Sequence, residues 1–84
     1  MELCNLNIER AVLSAIIFDP EIYEEVAAVL APSDFYLPFH QHLFNAMEKL
    51  FEEELPIDEE FLKSQLQKID KFDEEAFIEV LSAN

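Results

Sequence analysis

The side chains able to do chemistry in this chain are few, and their spacing works against them. His40-Gln41-His42 holds its only two histidines. On a helix, residues two apart point to different sides, so this pair cannot chelate one ion, and no cysteine lies nearby in sequence to complete a ligand set. They read as surface histidines or packing histidines near a helix start. Glu52-Glu53-Glu54 and Asp58-Glu59-Glu60 flank a turn at Leu55-Pro56. A calcium loop needs oxygens converging from a flexible segment wrapped around a turn glycine. The chain has no glycine, so the cluster reads as a solvated helix end followed by a helix start whose acids suit the dipole. Asp34, ahead of Phe35-Tyr36, would need a base or nucleophile and a pocket to act as a catalytic acid. No Cys/His or Ser/His arrangement supplies one, and Cys4 sits in an N-terminus expected to fray. Asp34 is expected to close a turn by accepting backbone N–H groups, with Phe35 plugging the core. The reading is of a non-enzymatic segment with no metal site and no cofactor of its own.

Composition narrows the partners. Glycine-free sequence excludes a P-loop and a Rossmann phosphate cradle, both built on backbone that glycine supplies cheaply. The 19 acids and 5 bases give a formal charge of −14 in 84 residues. DNA-binding surfaces neutralise phosphates with Lys and Arg, so direct contact with nucleic acid or an anionic membrane is not expected. Hydrophobic residues at 51% argue against disorder. One cysteine cannot form an intramolecular disulfide, which fits a reducing cytoplasm. The near-apolar run from Ala11 to Phe18 falls far short of the roughly 20 residues of a membrane helix, and no signal peptide is evident.

The elements that must position these residues are helical. Pro20, Pro32, Pro38 and Pro56 each stand at or just before a helix start, where a missing N–H costs nothing. A first helix is predicted over Ile8 to Ile17, with Asn7 as N-cap and an apolar face of Ile8, Val12, Ala15 and Ile16. A second opens at Asp19-Pro20, with Asp19 as N-cap and proline at the first position, and buries Ile22, Val26, Val29 and Leu30. A single helical turn is expected next at Pro32-Ser33-Asp34-Phe35-Tyr36. The longest helix runs from Pro38 to near Glu53, with Leu43, Phe44, Met47, Leu50 and Phe51 as its stripe. A fourth starts after Pro56-Ile57 with Asp58 as N-cap and carries Phe61, Leu62, Leu66 and Ile69. A fifth starts after Asp73, with Ala76, Phe77, Val80 and Leu81 on one face, and ends at Ser82-Ala83-Asn84 without an obvious cap. No sustained period-two alternation predicts a strand. The expectation is an all-α bundle of five to six short helices in one domain, residues 1–84, cut from a longer chain. Phe18, Phe39 and Phe51 flank the stripes rather than centre them, and are the candidates for contact with a partner.

Three segments, in order, carry a resemblance. Asn7-Ile8-Glu9-Arg10-Ala11-Val12-Leu13-Ser14 resembles an opening N-x-E-x-A-V-L-G. Leu30-Ala31-Pro32-Ser33-Asp34-Phe35-Tyr36-Leu37-Pro38-Phe39-His40 resembles L-x-P-x-D-F-Y-x-P-x-H. Phe44-Asn45-Ala46-Met47, Leu50 and Pro56-Ile57-Asp58 resemble I-F-x-A-M-x-x-L…x-P-I-D. The family is the N-terminal domain of bacterial replicative DNA helicases of the DnaB type. Glycines that the family often carries after the first helix and between the third and fourth are Ser14 and Glu53-Glu54 here.

The resemblance implies a non-catalytic head domain. In the family it precedes a helical hairpin and an ATP-hydrolysing motor, and the heads form a collar on a hexamer that receives primase. The implied partners are other helicase subunits and primase, in the bacterial cytoplasm. ATP and magnesium are implied only for the motor, which these residues do not include. Two other readings stand beside it. One is the C-terminal helicase-binding domain of a bacterial primase, similar in fold; the order of Pro-x-Asp-Phe and Pro-Ile-Asp favours the helicase. The other is a free-standing acidic adaptor or DNA mimic, whose acids would lie in rows facing a basic partner.

Overall fold

An asparagine does open the first helix, but it is Asn5 and not Asn7. In the computed structural model, which describes residues 5–83, Asn5 Oδ1 accepts the N–H groups of Asn7 at 2.9 Å and Ile8 at 3.2 Å. Asn5 has the extended backbone of an N-cap, and α1 runs Leu6–Phe18, longer at both ends than Ile8 to Ile17. Asn7 lies inside the helix and its Oδ1 accepts from Arg10 Nη1 at 3.0 Å. Cys4 and Asn84, with the frayed thiol and the uncapped chain end expected there, lie outside the described residues.

Prolines and aspartates punctuate the rest of the chain. Pro20 starts a 3-10 turn, Pro20–Ile22, that continues into the short helix α2, Tyr23–Ala27. Asp19 makes no side-chain cap bond, so the proline alone sets this start. Pro32–Asp34 is a second 3-10 turn, and Pro38 opens α3, Pro38–Glu52. Asp58 Oδ1 accepts from Phe61 N–H at 2.9 Å at the start of α4, Glu59–Lys68. Asp73 Oδ1 accepts from Ala76 N–H at 3.1 Å at the start of α5, Glu74–Leu81. The fold is all-α, with five α-helices, two 3-10 turns and no strand among the described residues.

Two helices end in left-handed caps without glycine. Glu54 and Asp70 both have φ of 57°. At each end the chain closes back, Leu55 N–H onto Leu50 O and Lys71 N–H onto Leu66 O, both at 2.9 Å. This is the Schellman closure that satisfies orphan carbonyls, a position glycine usually occupies. Any residue with a Cβ is strained there by about 1–2 kcal/mol.

The centre belongs to α3. Leu43, Phe44, Met47 and Leu50 are almost wholly buried, and α1, α4 and the Pro32–Asp34 turn pack on that helix. Leu13 and Ile16 of α1, Leu62 and Leu66 of α4, and Phe77 and Val80 of α5 complete the core. The predicted faces of α1, α2 and α4 are each adjusted by the packing. Ile8 is half exposed, and the inward side of α1 is Glu9, Leu13, Ser14 and Ile16, because the helix turns to bury Glu9. Val29 lies beyond the end of α2 and is exposed, while Tyr23 takes the buried place. Phe61 and Ile69 flank the α4 stripe and stay largely exposed. Ser14, where the resembled family often has glycine, is fully buried with no hydrogen-bond partner for its hydroxyl. Arg10 of α1 reaches Glu79 of α5 at 3.2 Å, an ion pair across that helix contact.

Candidate functional site

The most organised polar group in the domain is buried, and it holds a loop. Glu9 occurs in phase with Leu13 and Ile16, so a helix that buries those two must bury its carboxylate as well. It is 0% exposed. A carboxylate withdrawn from water needs its oxygens satisfied. Tyr36 N–H donates to Oε2 at 2.7 Å, Leu37 N–H donates to Oε1 at 3.4 Å, and His40 Nδ1 lies 2.8 Å from Oε1. An ionised carboxylate only accepts, so the tautomer that pairs with one carries its hydrogen on Nδ1. His40 is buried and its ring packs near Phe39. Of the two histidines it is thus a packing histidine with a specific partner, and His42 is half-buried.

The loop held this way is Asp34-Phe35-Tyr36-Leu37. Asp34 closes the turn as expected, its Oδ2 accepting Ala31 N–H at 2.8 Å. Gln41 Nε2 donates to Phe35 O at 2.7 Å. The Phe35 ring is buried against Phe44, with centroids 5.1 Å apart. Four anchors therefore fix a short segment whose next side chain, Tyr36, is 71% exposed. The arrangement presents one aromatic residue on a rigid mount. It offers no nucleophile beside a base, so it positions and does not catalyse. Among the described residues no three His, Cys, Asp or Glu side chains converge as a metal site would require.

The three candidate contact residues separate. Phe39 is 7% exposed and packs edge-on against Phe77 at 6.4 Å, so it belongs to the core and is withdrawn as a contact residue. It faces inward because α3 is covered on that side by α5's aromatic residue. Phe18 is 59% exposed and Phe51 is 43% exposed. Phe51 rests on Tyr23 with ring centroids 4.9 Å apart. Burial pushes the Tyr23 phenol above its ordinary pKa, and the nearby carboxylates of Glu48 and Glu52 add to the rise.

A family model described as the DnaB-like helicase N-terminal domain matches residues 1–84. The chain belongs to this family. The replicative DNA helicase DnaB of Helicobacter pylori is 42% identical over 78 residues, which cover 93% of this chain and 16% of that helicase. The replicative helicase DnaC of Bacillus subtilis is 36% identical over 78 residues, 93% of this chain and 17% of that protein. The chain thus spans about a sixth of the curated helicases it matches. Among solved structures, the N-terminal domain of Helicobacter pylori DnaB, described with its interactions with primase, superposes with a TM-score of 0.87 at 42% identity. That overlap covers 93% of this chain and 63% of that one. The N-terminal domain of Mycobacterium tuberculosis DnaB gives a TM-score of 0.86 at 22% identity over 100% of this chain and 61% of that one, a likeness of fold. The matches fall on the helicase N-terminal domain and favour neither the primase-domain nor the acidic-adaptor reading. What the DnaB likeness matches is the head and not the motor.

The Glu9–His40 link escaped the sequence reading, which placed both histidines at a surface or a helix start. Its one signal was a glutamate in phase with a buried stripe.

Proposed function

We propose that residues 1–84 are the single helical head of a longer bacterial replicative DNA helicase, acting in the cytoplasm as a non-catalytic contact domain. The head takes part in the collar of the hexamer and contributes to recognition of primase. The supporting observation is the 42% identity and close superposition with a DnaB N-terminal domain described with its primase interactions. ATP and magnesium serve the motor of such a helicase, outside the head. The acid excess of the head opposes direct contact with DNA. The candidate contact residues that remain at the surface are Phe18 and Phe51.

In this reading the hairpin that comes after the head in the family brings heads together and supplies much of the primase contact. These 84 residues alone are then a monomer or weak dimer that binds primase poorly, and self-association tightens as salt screens the charge. The test is calorimetry against the primase C-terminal domain, with this chain and with a longer chain carrying the hairpin, alongside light scattering across salt concentrations. Strong binding only by the longer chain is the expected result. Tight primase binding by the head alone would move the interface onto it, and no binding by either chain would overturn the proposal.

A further inference from the structure

Beside α3 lies a groove that the buried Glu9 group does not explain. Tyr23, Glu24 and Ala27 of α2, with Ala28 at its end, face Glu48, Phe51 and Glu52 of α3 across about 400 Å³. The floor is aromatic. Phe51 rests on Tyr23 at 4.9 Å, and Tyr23 rests on the core residue Phe44 at 5.8 Å. Ala27 and Ala28 fill little of the opposite wall, which leaves space over the Phe51 ring. The rim is acidic on both sides, with exposed Glu24, Glu48 and Glu52. None of the chain's 5 basic residues lines it. The pKa of the Tyr23 phenol is raised chiefly by burial, with the carboxylates of Glu48 and Glu52 adding to the rise.

The geometry points to this groove as a docking site for a short basic segment of a partner protein, one that seats an aliphatic side chain on Phe51 and places Arg or Lys among Glu24, Glu48 and Glu52. Charge complementarity selects this occupant. A cation held over an aromatic face and among carboxylates gains from both, more so as water is excluded. An acidic segment would be repelled, and a second copy of this chain brings another −14. The volume suits a side chain or two and not a domain face. This inference rests on the reading of the head as a contact domain and adds the place and the partner chemistry.

The test uses short helical peptides and backbone-amide NMR on this chain. One peptide carries leucines on one face and arginines on the other, a second has glutamates for the arginines, and a third has serines for the leucines. The Leu/Arg peptide should shift resonances of residues 23–28 and 48–52 and weaken with salt. The Leu/Glu peptide should not bind, and the Ser/Arg peptide should bind at least about tenfold more weakly. Glu48→Lys with Glu52→Lys, and separately Phe51→Ala, should each weaken the Leu/Arg peptide by about tenfold or more. Glu60→Lys with Glu75→Lys, the same charge change elsewhere, should not, and circular dichroism checks that every variant is folded. Shifts mapping to another surface, equal binding by the Ser/Arg peptide, or equal effects of the two charge-reversal pairs would overturn the inference. So would light scattering in which Phe51→Ala abolishes a dimer, since the occupant would then be a second copy. Titration of the longer, hairpin-carrying chain with the primase C-terminal domain separates the two readings: primase binding by that chain while the Leu/Arg peptide fails to shift residues 23–28 and 48–52 removes the groove and leaves the contact role standing.

Discussion

Replacing Glu9 by alanine would strand three donors at once. His40 is 1% exposed, and its Nδ1 would lose its 2.8 Å partner. The N–H groups of Tyr36 and Leu37 would lose theirs as well. Breaking a buried charged group out of its partners costs about 3–5 kcal/mol. A domain of 84 residues has a total stability of about 4–13 kcal/mol, so Glu9→Ala should remove a large share of it. The Tm should fall by at least about 15 °C. Glu9→Gln should cost less, about 1–2 kcal/mol, because the amide keeps an acceptor for Tyr36 N–H. Its NH2 can donate to His40 once the imidazole moves its proton to Nε2. Urea denaturation followed by circular dichroism gives the free energies and a thermal melt gives the Tm, and a double-mutant cycle with His40→Ala should return a coupling of about 1.5–3 kcal/mol. A Glu9→Ala variant destabilised by less than about 1 kcal/mol would show that these bonds do not hold the loop, and the reasoning would fail.

Other outcomes are expected from the same structure. Phe44→Ala, at 1% exposure beside Tyr23 and Phe35, should cost about 3–5 kcal/mol in the same denaturation assay, and an unchanged midpoint would contradict its central place. Glu54→Gly should stabilise the domain by about 1 kcal/mol by relieving its φ of 57°, read as a raised urea midpoint; the same change at the exposed helix-interior residue Glu48 should destabilise. Tyr23, left as the one phenol in a Tyr36→Phe variant, should ionise above 10.0 by ultraviolet absorbance, and Glu48→Gln with Glu52→Gln should lower its midpoint. Because the folded state holds that proton more tightly, this contribution to stability is complete below 10.0 and is lost as pH rises through the folded pKa.

Local rules were legible in the sequence and tertiary ones were not. Asp58 and Asp73 were readable as caps and Pro38 as a helix start because each signal acts within one turn. The α3 stripe was readable at Leu43, Phe44, Met47 and Leu50, because a central helix buries a wide face whatever lies around it, whereas Phe51, counted in that stripe, is 43% exposed in the last turn of the helix. Asn7 reads as the cap and Asn5 is the cap, because asparagine serves in either place and periodicity does not fix the first turn. The α1 face was misplaced because hydrophobicity points to Ile8 while an imidazole and two backbone N–H groups, 27 to 31 residues away, hold Glu9 inward. Phe39 and Phe51 look alike as flanking residues; which is covered depends on where α5 and α2 settle. The family motifs carried the function further than the residues alone could, since contact domains leave no catalytic signature.

The segment from Phe35 to Leu37 is irregular backbone at the rim of a small domain, the kind of place where chains fray first. Here the Tyr36 and Leu37 amides are tied to a carboxylate on the same face of α1 as Leu13 and Ile16, so opening them means breaking α1's hold on the loop. The loop therefore shares the cooperative unit of the core instead of fluctuating ahead of it. Whatever meets Tyr36 meets a surface already in its final shape, and little ordering entropy stands between encounter and contact.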